Sequence, residues 1–197
     1  MTVIKNTDEL VKTAKEHKLA DHIRNNFYAK IQGKHNGERV EDWSVCAIGC
    51  LATPATLEEL KKEYPDNVNT YEEKVGDEIY THYSCDIDDD VLLYKLEEKY
   101  GITYILARAA ETFFEGKTKT YNNILDYYEE EFILKNDEIA NWPLQFAEAL
   151  QKIEGVEVTD DMVRNWFYDA EIRLEVNSEY AHGQHLDFLD WLVSLKD

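Results

Sequence analysis

The chain has 197 residues, enough to bury one sizeable core and too few for two comfortable domains, so one domain is expected. Hydrophobic residues at 44% and aromatics at 12% place the chain among folded globular proteins despite its high charge. A formal net charge of −20 disfavours direct contact with nucleic acid or an anionic membrane and favours cationic partners.

Residues 8–32 carry Leu10, Val11, Ala14, Ala20, Ile23, Phe27 and Ile31 near the helical period, which predicts one long helix or two short ones with Thr7 as N-cap. Residues 33–42 are polar, contain two glycines and read as a loop. The segment Trp43-Ser-Val-Cys-Ala-Ile-Gly-Cys-Leu-Ala is the least polar in the chain and is expected in the core as a helix. Thr56 with Glu59 three residues on makes a capping box for a short helix to Tyr64. Residues 65–88 lack a helical period. They predict a loop or a small hairpin near residues 71–84, with Lys74-Val75 opposite Ile79-Tyr80 around Gly76-Asp77.

Helix signals then follow in series. Val91, Leu92 and Leu96 share a face stopped by Gly101, and Ile105, Leu106, Ala109, Ala110 and Phe113 share another stopped by Gly116. Thr120 is read as the cap of a helix through Ile124, Leu125, Tyr128 and Phe132. Pro143 suits the first position of the next helix, with Phe146, Ala149, Leu150 and Ile153. Thr159 caps one through Val163, Trp166 and Phe167, and residues 185–195 supply the last. The expected class is mainly α, a single-domain multi-helix bundle with a small β-hairpin.

Charge divides the chain. Residues 1–62 hold 10 Lys/Arg against 9 Asp/Glu, a net of +1, and residues 63–197 hold 11 against 32, a net of −21. Cys46, Cys50 and Cys85 are an odd, sparse set that reads as reduced thiols. With no secretory h-region and no membrane-length apolar run, a cytoplasmic location is expected.

Several constellations invite chemical readings. Residues 95–108 have the rhythm of a helix-turn-helix, but the second helix offers Arg108 alone and runs into Glu111 and Glu115, which suits a plain helical hairpin. Asp86, Asp88, Asp90 and Glu97 fall at spacings of a calcium loop, yet Val91 stands where that loop needs glycine, and Asp88 as an N-cap explains the cluster. Cys46, Cys50, His82 and Cys85 are ligand types suited to zinc, although Cys50 sits in an apolar segment. His182 and His185 with Asp187 and Asp190 read as an exposed turn and helix start. Cys46 could act as a nucleophile with His17, His22, His35 or His82 as base. The common phosphate-loop, dinucleotide and hydrolase motifs are absent, so no cofactor, metal or catalytic residue is assigned.

The remaining candidate is a surface of carboxylates: Asp88, Asp89 and Asp90; Glu129, Glu130 and Glu131; Asp137 and Glu138; Asp160 and Asp161, with Asp169 and Glu175 further along. Spaced on rigid helices, they would imitate phosphates and engage a groove lined with Lys and Arg.

Three segments, Trp43-Ser-Val-Cys-Ala-Ile-Gly-Cys-Leu, Ala107-Arg-Ala-Ala-Glu-Thr-Phe-Phe-Glu-Gly and Asn141-Trp-Pro-Leu-Gln-Phe-Ala-Glu-Ala, resemble motifs of small uncharacterised bacteriophage and prophage proteins. The resemblance transfers no activity and no functional residue. It implies a setting in which small acidic proteins inhibit host defence systems. The expectation is therefore a non-enzymatic acidic inhibitor that occludes a basic, nucleic-acid-binding surface of a host protein. Two alternatives stay open. One is a thiol- or metal-dependent enzyme centred on Cys46. The other is a homodimer burying aromatics such as Tyr71, Tyr80, Tyr83, Tyr121 and Tyr127.

Overall fold

The computed structural model describes the backbone over residues 2–23, 29–35, 39–114, 117–119, 127–131, 136–176 and 184–197, and side chains over 2–23, 43–114, 140–169 and 186–197. Apolar spacing of three and four gives α1 (Thr7–Leu19) a buried face of Leu10, Val11, Ala14 and His17, and its N-cap is Asn6 rather than Thr7.

Helix does not continue to residue 32. Ala29–His35 form β1, antiparallel to β2 (Arg39–Val45), so the stretch read as a loop lies largely in strands. Trp43 and Val45 close β2 instead of opening a helix. Two residues apart, they fall on one face of a strand, where both are buried, whereas a helix would splay them. Helix begins only after Cys46, whose Sγ accepts the Gly49 N–H at 3.5 Å and caps α2 (Ala47–Ala52). In α3 (Leu57–Glu63) the capping pair forms as predicted: Glu59 N–H donates to Thr56 Oγ1 at 3.4 Å, and that hydroxyl donates to Glu59 Oε2 at 2.9 Å.

The hairpin is present and longer than expected, as β3 (Val68–Val75) and β4 (Glu78–Asp86). Lys74 pairs with Ile79 and Val75 with Glu78 around Gly76-Asp77, and Gly76 at φ 69° supplies the left-handed first loop position of a type II′ turn. The two hairpins join in one antiparallel sheet of order β2-β1-β4-β3.

Asp88 caps α4 (Asp89–Tyr100), accepting the Asp90 N–H at 3.0 Å. Gly101, at φ 72°, ends it by donating to Glu97 O at 3.0 Å, while Ile102 N–H reaches Leu96 O at 3.1 Å. The next helix, α5 (Tyr104–Phe114), buries Ile105, Leu106, Ala109, Ala110 and Phe113 as its pattern requires.

Two later expectations change. Tyr128 lies in β6 (Tyr127–Glu131), paired with β5 (Lys117–Lys119), and not in a helix; adjacent tyrosines favour the pleated surface, and three successive glutamates would crowd one helical turn. Thr120, Ile124, Leu125 and Phe132, assigned to the same helix, lie outside the described residues. Pro143 sits inside α6 (Asn136–Lys152) and not at its start. An interior proline costs about 3 kcal/mol, which burial of Trp142, Phe146 and Leu150 on the same helix offsets. Thr159 Oγ1 accepts the Met162 N–H at 3.3 Å at the head of α7 (Asp160–Val176), and α8 (Gln184–Ser194) ends the chain's helices.

The class is mainly α, with one four-stranded and one two-stranded antiparallel sheet among the described residues. Phe113 of α5 stands at the centre of the core, with ring centroids 5.6 Å from Trp142, 6.0 Å from Trp166, 5.6 Å from Phe167 and 5.1 Å from Phe188. The amino-terminal segment ties distant parts together: Ile4 N–H donates to Val156 O at 2.9 Å and Lys5 N–H to Tyr100 O at 3.0 Å. Among the described residues, no helix is long and apolar enough to cross a membrane.

Candidate functional site

The end of α1, the bridge at Ile23, the last residues of β2 and the end of α2 meet around two buried histidines. His17 Nε2 lies 2.9 Å from Thr53 O, and His17 Nδ1 lies 3.2 Å from His22 Nδ1. A carbonyl only accepts, so His17 carries its proton on Nε2; its Nδ1 is then an acceptor, and His22 must donate from its own Nδ1. The Trp43 ring stacks on His22 at 4.4 Å with planes 5° apart. Burial, opposed by the Thr53 hydrogen bond and helped by the charge His22 would carry, depresses His17 to about 4. The His17 ring is therefore a neutral structural group at physiological pH. Sequence reasoning met His17 only as a base for Cys46, although its position three residues after Ala14 on the buried face of α1 marked it as a core residue.

Cys46 is fully buried at the head of α2. Burial first, and then the Glu111 carboxylate, raise its thiol well above the ordinary value. Glu111 also accepts the Ile48 N–H at 3.4 Å, so a carboxylate stands where a thiolate would need a cation. This environment opposes nucleophilic chemistry at Cys46. Cys50 and Cys85 are buried too, and burial raises both.

The zinc set is not assembled. Among the described residues, Asp88, Asp89 and Asp90 are the one group of three or more His, Cys, Asp or Glu whose ligand atoms lie within 4.8 Å of one another. Nor is there a calcium loop, because α4 is helical from Asp89 and carries Glu97 in its body. The aspartate group is a capped helix start. Asp89 Oδ2 accepts from Arg108 Nη2 at 2.7 Å; burial pushes this carboxyl up, and Arg108 outweighs it, holding the pKa below the ordinary value.

The predicted carboxylates separate by environment. Asp88 and Asp90 are exposed, while Asp89 is half-buried against Arg108. At the head of α7, Asp161 is exposed, and Asp160 is half-buried with one oxygen lacking a partner among the described residues. Asp137 and Glu138 fall in the first turn of α6, and Asp169 and Glu175 lie along α7. Glu129, Glu130 and Glu131 are on strand β6, which corrects their placement on a helix. Helix starts favour acids because unpaired N–H groups and the macrodipole stabilise negative charge there.

A cavity of about 330 Å³ opens between α1, the α2–α3 turn and α4. Its rim mixes Glu9, Glu16, Glu59 and Glu63 with Lys12, Lys62 and Lys95, so it does not share the acidity of the later chain. Lys95 donates to Ala52 O and to Glu63, and burial lowers it to about 8 with help from the nearby Lys99. His182 and the side chain of His185 lie outside the described residues. Comparison with family models, with curated proteins and with solved structures finds no match for this chain.

Proposed function

We propose that this protein is a non-enzymatic acidic binding protein that occludes a basic surface of another intracellular protein, of the kind built to grip nucleic acid. The counter-defence role implied by the phage-type resemblance belongs to this proposal. The observation that carries it is the exposure of carboxylates on ordered helices: Asp88 and Asp90 at the head of α4, Glu97 and Glu98 along it, and Asp161 at the head of α7. None of these five appears among the described ion pairs, which engage Glu9, Glu16, Glu63, Glu73 and Asp89. A Lys/Arg groove attracts such an array as it attracts phosphates. The sealed thiols give an enzyme reading no comparable support.

The experiment measures binding to purified proteins with a DNA-binding groove, across a salt series and with duplex DNA as competitor. Affinity should fall steeply with ionic strength, DNA should compete, and the triple variant Asp88→Lys, Asp90→Lys, Asp161→Lys should bind at least tenfold more weakly. Binding that ignores both salt and the triple variant would refute the electrostatic reading. Of the tyrosines behind the homodimer reading, Tyr71 is exposed, Tyr80 and Tyr83 are half-buried, and Tyr121 and the side chain of Tyr127 lie outside the described residues; the mass in solution decides that reading.

A further inference from the structure

The sheet ends in an open strand. In the order β2-β1-β4-β3, β3 pairs with β4 on one side, and among the described residues no strand lies on its other side. Residues 69–75 are all exposed, so neither face of β3 is covered either. A strand with open faces and an open edge is a ready template for main-chain pairing.

The turn dictates which groups are offered. In a two-residue hairpin loop the flanking pair, here Val75 and Glu78, is the hydrogen-bonded one, and hydrogen-bonded and non-bonded pairs alternate from there. Thr70, Glu72 and Lys74 occupy the non-bonded positions opposite Tyr83, Thr81 and Ile79. Their N–H and C=O groups therefore face outward.

Charge selects the occupant. Strand and turn carry Glu72, Asp77 and Glu78 against Lys74, three acids to one base, beside Glu73, whose carboxylate lies 2.8 Å from His82 Nε2. A second copy pairing edge to edge would bring glutamates towards glutamates, and like charges opposite one another destabilise a pair. A cationic strand faces no such cost. Tyr71, Val75 and Ile79, respectively 61%, 49% and 58% exposed, add apolar surface for alternate side chains of an incoming strand.

We propose that the outer edge of β3 takes up an extended, Lys/Arg-bearing segment of a partner protein as an added strand. This rests on the acidic-binding reading above and adds a second contact to it, in which an extended cationic segment of the partner is read through backbone and charge together at β3.

The test uses the full chain and a blocked peptide, acetyl-Thr-Val-Lys-Lys-Val-Thr-Val-amide. Two analogues accompany it, one with Glu-Glu in place of Lys-Lys and one N-methylated at the pairing amides. The Lys-Lys peptide should bind and slow hydrogen exchange at Thr70, Glu72 and Lys74. N-methylation, or Glu72→Pro in the protein, should weaken it at least tenfold; proline there removes an outward N–H and none that bonds β4. Glu72→Lys keeps that N–H, guarding against a misfolded proline variant, and should shift preference towards the Glu-Glu peptide. Binding indifferent to N-methylation and to Glu72→Pro would overturn strand addition while leaving the electrostatic reading intact. Equal binding of the Glu-Glu peptide to the unaltered protein, or no binding of the Lys-Lys peptide, would also overturn it; the groove-protein experiment then shows whether the broader reading survives. A dimer in solution that Glu72→Pro dissociates would place a second copy on the edge and refute the proposal.

Discussion

Acidification should destabilise the fold through His17. Its two ring nitrogens are committed, Nε2–H to Thr53 O at 2.9 Å and Nδ1 as acceptor to His22 at 3.2 Å, and the residue itself is fully buried. Protonating Nδ1 breaks that second bond and places two N–H groups head to head. The folded pKa is about 4 against an ordinary 6.5. Above pH 6.5 neither state holds the extra proton, so the neutral ring costs nothing. As pH falls below 6.5 the unfolded chain gains a proton that the folded one refuses, and stability drops until pH reaches about 4. At about 1.36 kcal/mol per unit of pKa difference, the loss approaches about 3 kcal/mol. The sign is informative. Neutralising carboxylates that have no cation beside them, in a chain of net charge −20, relieves self-repulsion and works in the opposite direction, whereas Asp89, held low by Arg108, adds to the loss; both contributions are shared by a His17 variant and cancel in the comparison. Urea denaturation from pH 8 to pH 4 should be run beside His17→Gln, which keeps a donor for Thr53 O and does not titrate. The natural chain should lose about 3 kcal/mol more than the variant over that interval. Parallel pH dependences would refute the assigned tautomers and the buried neutral state of His17.

Gly101→Ala should cost at least about 2 kcal/mol, because the left-handed backbone disfavours any side chain and an added Cβ would collide with the backbone carbonyl of Val3; the urea midpoint reads it. Trp43→Phe should change stability by no more than about 1 kcal/mol, since Trp43 Nε1 is buried with no acceptor among the described residues and its removal relieves a penalty that offsets the lost area. Trp142→Phe should cost at least about 1 kcal/mol more than that in the same assay, since it deletes a buried hydrogen bond to Ala110 O at 2.8 Å. Thiol titration at pH 8 should leave Cys46 unreacted in the folded chain and label it in urea; rapid labelling of the folded protein would revive the thiol-enzyme reading.

Local chemistry was legible in the sequence wherever a short segment settles its own structure. The Thr56–Glu59 cap, the Asp88 cap, the Gly101 stop, the Thr159 cap and the Gly76-Asp77 turn each depend on residues within a few positions, and each formed as read. Periodicity fails where pairing across the chain outweighs local preference. Ile31 continued a helical pattern, yet β1 lies between β2 and β4, and a strand with a partner on both sides gains two ladders of hydrogen bonds that no local rule anticipates. Pro143 looked like a helix start, and packing on both sides of it carried the helix through. The acidity of residues 63–197 belongs to composition and needed no structure. Folding alone decided that Asp89 is held by Arg108 while Asp88 and Asp90 face outward, that Cys46 is sealed beside a carboxylate, and that β3 ends its sheet, because burial and contact between distant residues exist only once the chain has closed on itself.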